Sequence, residues 1–153
     1  MRVYLDTCAV QRPLDDRTQL RIRFEAEAIL SVLDLVRAGR VELVSSDVLQ
    51  FETEQNPRRT RREYALGTLA GAATHLKLTD EVRRRAEALN RRGLRTLDAL
   101  HLASAEASEA DFFCTCDDTF LKKAKRETRD PTRVVAPMEL AEELERWASR
   151  HDR

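Results

Sequence analysis

Residues 94–118 read "LRTLDALHLASAEASEADFFCTCDD". The first half carries small and apolar residues at helical spacing. The second half contracts to a short apolar run, "DFFCT", and ends on two acids, which is the pattern of a strand closing into a loop. A helix that feeds a strand in this way is half of a strand–helix–strand unit. The helix contains one misfit. Asp98 sits between Leu97 and Ala99 and below Leu102, where an unpaired carboxylate in apolar surroundings costs several kcal/mol.

The same alternation continues outward in both directions. Upstream, "RVYLD" is an apolar strand, and about Thr18 to Ala38 reads as a helix that carries Phe24, Ala28, Val32, Leu35 and Val36 at helical spacing and is stopped by Gly39. "VELVS" at 41–45 is a second strand. A helix capped by Ser46 follows, then another with Pro57 in its first turn. From there to Leu89 the chain is helical in character, broken near Thr74 to Thr79, with Thr79 capping "DEVRRRAEALNRRG". Downstream of 118, "DDTFLKKAKR" is a helix, "RVVAP" a short strand and "MELAEELERWASR" a closing amphipathic helix. Strands separated by helices require crossover connections, which are nearly always right-handed. They predict an α/β fold of three layers, α/β/α, around a parallel sheet.

The chain has 153 residues, 42% of them apolar, with no run approaching the roughly 20 apolar residues of a membrane span. Residues 1–153 are therefore expected to form one domain with a cytoplasmic location. Cys8, Cys114 and Cys116 have no paired metal spacing and read as small buried residues. Net charge is zero, so a nucleic-acid partner would have to be held by a local basic patch.

Open parallel sheets bind ligands beyond the carboxyl ends of their strands, and four acids fall there. Asp6 ends the first strand and Asp117 follows "FFCT". The Asp98 helix runs antiparallel to the sheet, so its first turn, with its partly positive end, lies at the same edge. Glu52 reaches it if the helix after Ser46 lies across that edge. Each acid alone has an ordinary structural use, as a cap or a solvated side chain. Together they would raise one another's pKa, and a hard cation relieves that strain. Oxygen ligands without a His or Cys set favour Mg²⁺ or Mn²⁺. A covalent-aspartate route through Asp6 would want a second acid two residues on, and that position is Cys8.

These segments resemble the PIN-domain nucleases, a family that includes the VapC toxins of bacterial toxin–antitoxin pairs. "VYLDT" is similar to the first motif, with Asp6 and a supporting Thr7. "SSDVLQFE" resembles the second with Glu52, "LDALHLASA" the third with Asp98, and "CTCDDTFLKKA" the fourth with Thr115 and Asp117. The resemblance implies a PIN-like fold, divalent-metal-dependent RNA cleavage, an RNA substrate, a small antitoxin protein as partner, and homodimers. Asp6 and Asp98 would hold the principal ion, Asp117 would share it, and Glu52 would bind a second ion or position water. Thr7, Thr115 and Ser46 would orient these carboxylates. Asp118 competes with Asp117 as ligand, and Asp15 and Asp16 lie in a loop that could approach the site. His101, one turn beyond Asp98, reads as a packed or surface residue or as a hydrogen-bond partner of Asp98.

Among the arginines, "DEVRRRAEALNRRG" neutralises itself through Asp80–Arg84, Glu81–Arg85 and Arg83–Glu87 pairs. In "NPRRTRREY", Arg59 pairs with Glu63, whereas Arg58, Arg61 and Arg62 have few acidic neighbours and form the candidate RNA-binding patch. A metal-dependent endoribonuclease, the toxin of a toxin–antitoxin pair, is the favoured reading. A non-catalytic PIN scaffold that binds RNA or protein, and a structure-specific DNA nuclease, are its alternatives.

Overall fold

A computed structural model describes residues 1–152. The chain runs β1 (Arg2–Leu5), α1 (Thr7–Gln11), a 3-10 turn (Arg12–Leu14), α2 (Leu20–Arg37), β2 (Glu42–Ser46), α3 (Asp47–Glu54) and α4 (Arg59–Leu69). It continues with β3 (Thr74–Leu76), α5 (Asp80–Arg91), α6 (Thr96–Ala107), β4 (Phe112–Cys114), α7 (Asp118–Glu127), β5 (Arg133–Val135) and α8 (Pro137–His151). The five strands form one sheet in the order β3-β2-β1-β4-β5, and every pairing is parallel.

This order fixes the layers. The chain steps from β1 to β2 to β3 in one direction, then crosses back to β4 and on to β5. Right-handed crossovers place α1–α4 on one face and α5–α7 on the other. α8 returns to pack on α2, and α5 packs on α6, completing three layers. β1 lies at the centre, where Tyr4 stacks on Phe113 at 5.3 Å and Phe113 on Phe120 at 5.5 Å. The direction of winding reverses between β1 and β4, so a crevice opens above their carboxyl ends. No helix among the described residues is long and apolar enough to cross a membrane.

Three local expectations need correction. The break near Thr74 contains an edge strand, β3, paired to β2 with Val44 opposite Thr74. It is held by Asp47, whose Oδ1 meets His75 Nε2 at 2.7 Å and whose Oδ2 accepts from the Leu78 amide at 2.8 Å. Three residues fixed by a neighbour 28 positions away carry no periodicity of their own. Second, α4 begins at Arg59, after Pro57 rather than around it. Third, the α5 arginines do not form the expected pairs. Asp80 faces Arg83, at 3.5 Å, and Arg85 turns inward to grip Glu106 of α6 at 2.7 and 3.1 Å. Val82, Ala86 and Leu89 bury one side of α5 against α6, which brings Arg85 within reach of Glu106.

Candidate active site

Each acid reaches the crevice by a short local device. Asp6 follows β1 and caps α1, its Oδ1 accepting from the Ala9 amide at 3.0 Å and from the Cys8 thiol at 2.9 Å. Asp117 follows β4 and caps α7, its Oδ1 accepting from the Phe120 amide at 3.0 Å. Asp98 lies in the first turn of α6, and Glu52 lies near the end of the short α3. Capping uses one carboxylate oxygen and leaves another, so the ordinary role of Asp6 and Asp117 does not compete with a role in the crevice.

The electrostatics link Asp98 to Asp117 and Glu52, and Asp6 shares the neighbour His101 with Asp98 and Glu52. Asp98 is raised above the usual carboxylate range first by burial and then by the charges of Asp117 and Glu52, with His101 and Arg95 pulling the other way. Burial pushes Asp6, only 7% exposed, well up, and Cys8 adds to this while Thr115 and His101 oppose it. Burial is the largest influence on Glu52 and works to raise it, but the hydrogen bond and charge of His101 together with Thr7 outweigh it and hold Glu52 below its ordinary value. The Thr7 hydroxyl is buried beside Glu52. As the side chains sit, no group of three His, Cys, Asp or Glu residues among the described residues is placed to hold a metal ion.

Sequence comparison decides the family: the profile of the PIN domain matches residues 3–126. The chain belongs to the PIN domain family. No curated protein sequence matches it. Among solved structures, it is similar to VapBC2 from Rickettsia felis bound to a DNA fragment from their promoter. The identity is 14% and the TM-score 0.57, covering 89% of this chain and 98% of that one. It is also similar to PAE2754 from Pyrobaculum aerophilum, at 18% identity and TM-score 0.53, with 95% of this chain and 96% of that one covered. At these identities the likeness is one of fold.

Within this PIN domain some expected residues are engaged elsewhere. Asp118 is exposed and gripped by both terminal nitrogens of Arg21, at 2.8 and 2.6 Å, which draws it toward α2 while Asp117 faces Asp98. Asp15 is held by Arg12 at 2.8 Å and by Arg61 at 2.7 Å, and Asp16 accepts from the Thr18 amide and hydroxyl. Arg61 is thus not unpaired: it clamps Asp15 and the Leu14 carbonyl. Arg62 donates to the Asn56 carbonyl at 2.9 Å, and exposed Arg58 has no ion pair among the described residues. Cys114 and Cys116 are buried as expected, whereas Cys8 is only partly buried and donates to Asp6.

Two features of the PIN domain site were missed in the sequence. Arg95, the residue at the head of α6, is exposed beside Asp98 with no ion pair among the described residues. Its signal is its place three residues before the acid on an exposed helix start. Tyr4 and Ser46 share a buried hydrogen-bonded chain with His101, and nothing local in the sequence announces it.

Proposed function

We propose that this PIN domain is a divalent-metal-dependent endoribonuclease and the toxin of a toxin–antitoxin pair. The observation that carries this reading is Asp98 set beside Asp117 and Glu52, with Asp6 at the end of β1 sharing His101 as a neighbour with Asp98 and Glu52. The donor set fits a hard cation. It is all oxygen, Asp98 feels the repulsion of Asp117 and Glu52, and the Thr7 hydroxyl lies beside Glu52. Asp6 and Asp98 would hold Mg²⁺ or Mn²⁺, with Asp117 sharing it and Glu52 holding a second ion or the attacking water. Such an ion, when bound, supplies charge neutralisation and Lewis-acid activation for phosphodiester hydrolysis.

The chain's own groups do the rest. Glu52, kept ionised, accepts the proton of the attacking water. Arg95 grips the phosphate next to the scissile bond, and Arg58 and Arg62 extend the contact along the backbone without reading bases. Thr115, whose hydroxyl accepts from the Asp117 amide at 3.2 Å, orients the loop that carries Asp117. Thr7 and Ser46 complete the supporting set.

Purified protein should cut pooled RNA with Mn²⁺ or Mg²⁺ and stop with chelator. Asp6→Asn and Asp98→Asn should each slow cutting by about a thousandfold, the cost of losing a preorganised charge-stabilising group, while circular dichroism stays unchanged. Near-normal cleavage by either variant removes that residue from the mechanism. Preference for flapped DNA over RNA in the same assay would transfer the site to DNA, and binding without cleavage would make the domain a scaffold. The fold shared with VapBC2 supports a small antitoxin partner. Co-expression with the product of a short adjacent reading frame tests it through loss of cleavage, and light scattering reports the expected homodimer.

A further inference from the structure

We infer that His101 is a positioning residue for Glu52, its ring fixed in one tautomer by a buried hydroxyl chain through Ser46 and Tyr4; the inference rests on the nuclease reading of Glu52 above. The chain starts at the Leu49 amide, which donates to Ser46 Oγ at 3.0 Å. Ser46 Oγ lies 2.8 Å from Tyr4 Oη, and Tyr4 Oη lies 2.8 Å from His101 Nδ1. The other ring nitrogen, Nε2, faces Glu52 Oε2 at 3.4 Å. Ser46 and Tyr4 have no exposure and His101 only 3%, so water cannot substitute for any member.

Proton accounting gives the chain a direction. Ser46 Oγ already accepts from Leu49, so its single proton is free to go to Tyr4. The Tyr4 proton then goes to Nδ1, and a neutral ring carries its own proton on Nε2, pointing at the Glu52 carboxylate. With a neutral ring and the opposite direction, a bare Nε2 lone pair would face a carboxylate and the Ser46 proton would have no partner. Within this chain each donor is used once when it runs from Leu49 to Glu52, and that direction turns the ring proton toward the carboxylate.

The arrangement is more than packing because of what it joins. Glu52 sits on α3, whereas Asp98 and His101 share α6, one turn apart. The ring therefore references a long side chain to the helix that carries another acid of the site, much as outer-shell partners orient metal-binding carboxylates. At 3.4 Å the last link is long, as contacts in resting sites often are before they tighten in the working complex.

The test combines kinetics with a readout independent of activity. In ¹⁵N NMR of the wild-type protein in chelator at neutral pH, His101 should show a protonated Nε2 and a bare Nδ1, and Tyr4→Phe should mix the two tautomers. In RNA cleavage with Mn²⁺, His101→Ala should lower kcat by about ten- to a hundredfold with KM within twofold. His101→Gln, whose amide can still donate to Glu52, should recover most of the loss. Tyr4→Phe should fall between, and adding it to His101→Gln should cost little more, since no tautomer remains to fix. A bare Nε2 or a doubly protonated ring in the wild type overturns the inference. So do equal rates for the Gln and Ala variants, or losses fully explained by KM or by lowered melting temperature. Wild-type protein that cuts no RNA would instead sink the nuclease reading, and the NMR result would still decide whether the hydroxyl chain fixes the ring.

Discussion

Asp98 is half-buried beside Asp117 and Glu52, and burial followed by their charges lifts it above its ordinary value of 3.8. A carboxyl raised in the folded state binds protons more readily there than in the unfolded chain. Its contribution is fully present below pH 3.8 and is lost as pH rises through the raised value. At neutral pH without metal, ionised Asp98 therefore costs stability. Asp98→Asn should melt at or above wild type in chelator, with an advantage that grows as pH is taken from 3 to 7. Thermal denaturation across that range checks it, and a variant clearly less stable at neutral pH would show Asp98 to be needed for structure. Asp6, Asp98 and Asp117 are legible in the sequence because each sits at a strand end or a helix start, which local pattern locates. The role of His101 is not. Its partners, Tyr4 and Ser46, lie 97 and 55 positions away, and only the pairing of β1 with β2 puts their hydroxyls in contact.

The elements show the same division. Apolar periodicity and the caps at Ser46, Thr79 and Asp117 mark α3, α5 and α7, whose first turns these side chains satisfy. Long-range polar clamps override the local pairing rule on the arginines. Glu106 is the clearest, because it holds Arg85 of α5 with both oxygens and also accepts from the Arg129 amide at 2.8 Å. Glu106→Ala should lower stability by about 2 to 3 kcal/mol, the scale of charge-assisted hydrogen bonds left unmade in a partly buried setting. Urea titration measures this, and cleavage at low temperature should stay close to wild type. Arg61 divides from its neighbours for a similar reason. Arg61→Ala should lower the melting temperature through the lost Asp15 clamp. Arg58→Ala with Arg62→Ala should leave it nearly unchanged and reduce the salt slope of RNA binding by about one unit per lost phosphate contact. An unchanged slope would return both to solvent.

For the whole molecule, the cost of ionised, half-buried Asp98 beside Asp117 and Glu52 is the one a bound cation would offset. Melting temperature should climb with Mn²⁺, by the equivalent of about 2.7 kcal/mol at a hundredfold excess over Kd. Asp6→Asn should lose most of that response, and an equal response would place the ion elsewhere. The central place of β1 has a further consequence, for the order of assembly during synthesis. Val3 lies opposite Phe112, so the strand made first waits for one of the last to lie beside it. Asp98 and Asp117 arrive with that late strand, on the helix before it and the loop after it. A growing chain emerging from the ribosome therefore carries Asp6 and Glu52 without Asp117 until about three quarters of it has been made. Until then the amino-terminal half has half a crevice, and a nascent chain cannot assemble the four-acid set before β4 and the loop after it have been made.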